Sequence, residues 1–140
     1  MSLPVPTRQI ITELDIAGLK RLQAEMGHHL LIIKFGADWC GPCKRIAPAV
    51  YKLLDSASPK ILFADINVDE NLDLYLGLKK SKMIQGIPAF LVYYGNTKRD
   101  QWFIPDDSVI GANEEQLVQL FARCETKIDS TVATGYTYYS

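Results

Sequence analysis

Leu30-Leu31-Ile32-Ile33-Lys34-Phe35-Gly36-Ala37-Asp38-Trp39-Cys40-Gly41-Pro42-Cys43-Lys44 changes character at its middle. The first six residues are almost all strand formers, and a short, nearly continuous apolar run predicts a strand buried on both faces. Lys34 is the single charge inside that run. Gly36 to Trp39 reads as a loop. Beyond the cysteines, Ile46, Val50, Leu53, Leu54 and Ala57 recur as a helix face requires. Pro48 lies within that helix, removes a backbone donor and predicts a kink. The pair Cys40 and Cys43 therefore falls on a strand-to-helix junction.

The flanking chain extends the alternation. Residues 1–7 hold Pro4 and Pro6 and read as an extended lead-in, and Ile10 and Ile11 within Arg8 to Thr12 suit a short edge strand. Asp15 is placed to cap a helix whose apolar face is Ile16, Leu19, Leu22 and Met26, with Gly27 as its stop. Downstream, Ile61 to Ile66 predicts a second buried strand, with Asp65 as its one charge. A short helix follows over Asn71 to Lys80, then a strand over Ala89 to Tyr94. Gly95-Asn96 suits a hairpin turn, with Lys98 to Ile104 as the return strand and Pro105 to Ser108 as a polar insertion. Asn113 with Gln116 forms a capping-box pattern, and Leu117, Leu120, Phe121, Cys124 and Ile128 mark the face of a last helix. The order β-α-β-α-β-α-β-β-α implies one α/β domain over residues 8–128, a central mixed β-sheet flanked by helices. Residues 129–140 are polar, lack helical period and read as an irregular tail.

The chain has 140 residues, enough to bury a core without staples. Fifteen Lys and Arg against sixteen Asp and Glu leave a net charge of −1, which argues against nucleic-acid binding through a general basic field. No apolar run approaches the length of a membrane span, and the first residues lack the basic and apolar regions of a signal peptide. Three cysteines do not make a secreted disulfide scaffold. A soluble monomer in a reducing, cytoplasmic compartment is the expectation.

Chemistry concentrates at Cys40-Gly41-Pro42-Cys43. The spacing lets the two sulfurs close a small ring. Cys40 falls at a helix N-terminus, where unpaired N–H groups favour an anion, so its thiol pKa is expected to drop from about 8.5 into the range of about 3.5–7.5. Cys43 lies one turn deeper and is expected to be shielded. This asymmetry suits a two-step exchange, with Cys40 as nucleophile and Cys43 resolving the mixed disulfide. A zinc site would need two further ligands. Only His28, His29 and Cys124 are on offer; the histidines are adjacent, and Cys124 sits on an apolar helix face, so no metal is expected.

Ala37-Asp38-Trp39-Cys40-Gly41-Pro42-Cys43-Lys44 resembles the active-site signature of the thioredoxin family. The resemblance extends to Pro48, to Asp65-Ile66-Asn67-Val68-Asp69, to Gly86-Ile87-Pro88 and to Gly111-Ala112 before the last helix, and covers residues 8 to 125. It implies a thioredoxin fold and a cis peptide at Ile87–Pro88. It also implies a groove in which an extended substrate pairs with the backbone of Ile87, framed by Trp39, Gly41, Pro42, Gly86, Pro88 and Gly111. The implied activity is protein-disulfide reduction, with no bound cofactor and with electrons supplied by a thioredoxin-reductase-type donor. Gly-Pro between the cysteines points to the reducing end of the family. Two other readings remain: an adaptor that binds partners without turnover, and a disulfide oxidase or isomerase.

The sequence departs from the family in three places. Most members carry an aspartate in the strand before the cysteines and a lysine in the next parallel strand; here the matching positions hold Lys34 and Asp65. On neighbouring buried strands both would point under Cys43, and the resemblance then gives Asp65 the proton transfer with Lys34 as its ion partner; the alternative is that both side chains turn to the surface or pair only structurally. Gly36 stands where many members have an aromatic residue, which predicts a more open site. Leu76 to Met83 and Phe103 to Ser108 are each longer than a minimal member requires, and the second is expected near the groove.

Overall fold

The computed structural model describes residues 8–139, with side chains as far as Ser130. Its elements follow the predicted alternation: β1 (Ile10–Ile11), α1 (Ile16–Glu25), β2 (Leu30–Gly36), α2 (Gly41–Asp55), β3 (Ile61–Asn67), α3 (Leu72–Lys80), β4 (Ala89–Tyr94), β5 (Asp107–Ile110) and α4 (Glu114–Tyr139). The sheet order is β1-β3-β2-β4-β5. β3 is parallel to β1 and β2, whereas β4 is antiparallel to β2 and β5.

Side chains alternate across β2 with a period of two. Leu31, Ile33 and Phe35 join α1 and α3 through Leu19, Leu74 and Leu78, while Leu30 and Ile32 face Ile46 and Val50 of α2 and Leu120 and Phe121 of α4. Both faces of the sheet are thus covered, which explains why the central strands read as unbroken apolar runs. The helix starts follow local chemistry. Asp15 accepts from the Gly18 N–H at 2.7 Å, and Asn113 accepts from the Gln116 N–H at 2.9 Å. Gly27 ends the α1 segment with φ at +59°, a conformation that costs glycine little.

The predicted hairpin differs from the observed one. Lys98 to Ile104 is not a strand, and the return strand is Asp107–Ile110, paired with Val92 to Ala89. Arg99 is the cause. Its guanidinium donates to the Ile104 carbonyl at 2.7 Å and to Asp106 at 2.6 Å, closing the intervening residues on themselves. Trp102 and Phe103 pack into the core on the α1 side. This excursion leaves from the Tyr94 end of β4, so Phe103 to Asp106 lies at the far end of the sheet from Pro88 rather than beside the groove.

The tail also differs. α4 runs on to Tyr139, so Ser130 to Tyr139 continues the helix instead of forming an irregular extension. The stretch contains no proline, and a helix already docked through Leu117, Leu120, Phe121, Cys124 and Ile128 extends without a new nucleation step. The 1–7 lead-in and Ser140 lie outside the described residues. Among the described residues, no helix is long and apolar enough to cross a membrane.

Candidate active site

Cys40 is the N-cap of α2. Its extended backbone turns the chain out of the loop, its Sγ accepts from the Cys43 N–H at 3.2 Å, and its carbonyl accepts from the Lys44 N–H at 3.2 Å. Pro42 falls in the first turn, where its missing donor costs nothing. Cys40 and Cys43 are joined as a disulfide, with Cα atoms 5.3 Å apart. Cys40 is 5% exposed and Cys43 4%, so overall exposure barely separates them. What separates them is what they face. Cys40 Sγ lies 3.9 Å from the Ile87 carbonyl oxygen, and Cys43 faces Gly36 beneath the helix.

Ile87–Pro88 is a cis peptide. Pro88 is buried, Ile87 is half-buried and Gly86 is exposed. The Pro88 carbonyl accepts from the Gly111 N–H at 2.8 Å, which fixes the end of β5 to this loop; Gly111 has φ at +103°. Trp39 is 70% exposed, and its Nε1–H donates to Asp69 at 2.9 Å. Gly41 and Pro42 are exposed beside it. Every residue named from sequence for the groove therefore belongs to the loops and helix start around the disulfide.

Lys34 and Asp65 are register partners on parallel strands. The Lys34 Nζ lies 3.9 Å from Asp65 Oδ1, and the lysine side chain is 7% exposed against 27% for the aspartate. Sequence reasoning missed Tyr51, whose hydroxyl donates to the other carboxylate oxygen at 2.6 Å. That hydrogen bond to Asp65, with burial as a second cause, pushes the Tyr51 hydroxyl up to about 12. The signal was present as spacing: Cys43, Ala47 and Tyr51 recur every four residues on one stripe of α2, and all three line the same cleft.

The remaining titratable candidates are engaged elsewhere. Cys124 is buried among the α4 core residues, and that burial pushes its thiol up to about 12. The His29 ring contacts the Met26 carbonyl and the His28 ring contacts Asn96.

A dithiol pair of this kind, one sulfur capping a helix and facing an accessible loop, defines the chemistry of thiol–disulfide exchange. Comparisons with known proteins agree. The thioredoxin family model matches residues 20–123. Thioredoxin-like protein 1 of Schizosaccharomyces pombe is 38% identical over 98 residues, covering 69% of this chain and 30% of that protein. Thioredoxin 1 of Plasmodium falciparum is 33% identical over 96 residues, covering 69% of this chain and 81% of its own. The solved structure of Fasciola hepatica thioredoxin superposes with a TM-score of 0.61 at 28% identity, over 84% of this chain and 98% of that one. The chain belongs to the thioredoxin family, and its CxxC domain is a thiol–disulfide oxidoreductase. This chain spans less than a third of the Schizosaccharomyces pombe protein's own length.

Proposed function

We propose that the domain reduces disulfide bonds in protein substrates, with Cys40 as the attacking sulfur and Cys43 as the resolving one. The observation that carries this reading is the position of Cys40 at the start of α2, where its sulfur already accepts a helix N–H at 3.2 Å. Once reduced, a thiolate at that point keeps the hydrogen bond and gains the field of the helix start. It attacks a substrate disulfide, and the mixed disulfide is resolved by Cys43.

An extended substrate segment docks on the backbone of Ile87. Trp39, Gly41, Pro42, Gly86, Pro88 and Gly111 frame the groove, a reading supported by the 3.9 Å approach of Cys40 Sγ to the Ile87 carbonyl and by the exposed Trp39. Lys34 and Asp65 supply a charged pair beneath Cys43, and the proton that Cys43 sheds on attack leaves through the cleft they line. The dithiol supplies two electrons to the substrate disulfide, and a thioredoxin-reductase-type donor returns two to the oxidised pair by the same exchange, without a bound cofactor. Both working sulfurs come from one chain, which is consistent with a monomer, and the reading places it in a reducing, cytoplasmic compartment.

Insulin reduction driven by dithiothreitol tests the proposal. The wild-type protein is expected to accelerate precipitation of the insulin chains, Cys40→Ser to abolish the acceleration, and Cys43→Ser to accumulate mixed disulfides. A folded wild-type protein without acceleration, whose Cys40→Ser variant still binds partners, would mark an adaptor instead.

A further inference from the structure

Against α2 lies a cleft of about 490 Å³ lined by Lys34, Gly36, Cys43, Tyr51 and Asp65 among others, with Ile87 not part of its lining. Lys34 and Gly36, two residues apart on β2, share the sheet face that carries Leu30 and Ile32 and looks toward α2. A Cβ at position 36 would stand 3.4 Å from Cys43 Sγ and 3.9 Å from Lys34 Cε. The lysine stem and the resolving sulfur thus border the same space that the glycine leaves open. Asp65 is committed on both sides, with one oxygen accepting from Tyr51 at 2.6 Å and the other 3.9 Å from the Lys34 ammonium.

We propose that the Lys34 ammonium is a positioning charge for the resolving thiol, holding Cys43 as a thiolate for its attack, with Asp65 as the counter-ion that keeps the lysine there and Tyr51 as the anchor of Asp65. This assigns the work differently from the sequence expectation, in which Asp65 carries the proton and the lysine only pairs with it. Both oxygens of that carboxylate are already engaged, one by the Tyr51 phenol and one turned to the Lys34 ammonium. A cation beside a sulfur lowers the cost of its negative charge directly. The other charged groups around the cleft are Lys44 from α2, Asp38 from the loop before it and Glu70 after β3. All three are exposed, so solvent weakens their influence on the sulfur.

The inference rests on Cys43 being the resolving thiol. In the resolving step the Cys43 proton has passed to solvent in the cleft. The thiolate attacks Cys40 Sγ, the bond between Cys40 and the substrate sulfur breaks, and that sulfur leaves as a thiolate and takes a proton from water. The substrate disulfide gains two electrons in all, and the dithiol loses two.

The test is the titration of Cys43 in the reduced Cys40→Ser protein, followed by the carbon-13 shift of its Cβ. Lys34→Gln is expected to move the midpoint up by about one pH unit, equivalent to about tenfold less thiolate near neutrality, and Lys34→Arg to restore most of it. Asp65→Asn is expected not to raise it. If Lys34→Gln does not fold, Lys34→Gln/Asp65→Asn, which leaves no unpaired charge, is expected to titrate above Asp65→Asn alone. An unmoved midpoint in Lys34→Gln, or in the double variant relative to Asp65→Asn, overturns the inference. Insulin reduction by the wild type reports on the exchange reading separately, so each can fail without the other.

Discussion

Tyr51 shows how one side chain reports on its neighbours. Its hydroxyl is pushed up to about 12 chiefly by the hydrogen bond to Asp65, with burial and the carboxylate charge adding to it. A raised tyrosine pKa means that the fold favours the protonated phenol. That contribution to stability is complete below about pH 10, the ordinary tyrosine value, and is lost as pH rises through about 12. Asp65→Asn removes the largest cause, so the Tyr51 titration, followed by ring resonances, is predicted to move down toward its ordinary value. A midpoint unchanged by the substitution would mean that burial alone holds the phenol. At this scale the sequence was most legible where chemistry and position coincide. Cys40 and Cys43 stand out because a strand ends and a helix begins between recognisable patterns. Tyr51 was hidden because a tyrosine in a helix stripe looks like any other half-apolar residue until its partner on another element is known.

Among the elements, Asn71 ties the most distant pieces together. Its Oδ1 accepts from the Leu14 N–H at 2.9 Å, and its Nδ2–H donates to the carbonyls of Thr12 at 3.3 Å and Asn67 at 3.0 Å. The link between β1 and α1 is thereby fastened to the turn that starts α3. Asn71 is buried, so Asn71→Ala takes this partner from the Leu14 N–H and the Thr12 carbonyl, whereas the Asn67 carbonyl keeps the Glu70 N–H, and the change is predicted to cost about 1–3 kcal/mol in urea unfolding. The β3–α2 end has a comparable fastening in Arg8, whose guanidinium donates to the carbonyls of Ala57, Ser58 and Ile61. Element types were legible from periodicity wherever a face was long and regular. The β4–β5 hairpin was not, because Gly95-Asn96 does form a turn, with Asn96 at φ +52°, but Arg99 and the inward-packed Trp102 and Phe103 postpone the return strand. No local pattern announces a guanidinium that will bind carbonyls on both sides of a loop.

For the whole molecule, the topology puts the reacting end in one place. The cysteines follow the carboxyl end of β2, Asp69 follows β3, and Pro88 precedes the antiparallel β4, so three loops meet at one edge of the sheet. The alternation of strands and helices made a mixed sheet legible. The pairing of β1 with β3, and the antiparallel entry of β4 beside β2, were not contained in periodicity and are seen only in the structure. The tail was misread because composition reports the lack of an apolar face, which an extension of an already docked helix does not need. The central claim concerns one sulfur, and the most direct measurement is the pH dependence of Cys40 alkylation in the reduced protein, mapped by mass spectrometry against the buried Cys124. The account predicts a midpoint below about 7.5 and rapid modification of Cys40 at neutral pH. A midpoint at or above about 8.5, that of an ordinary free thiol, would contradict it.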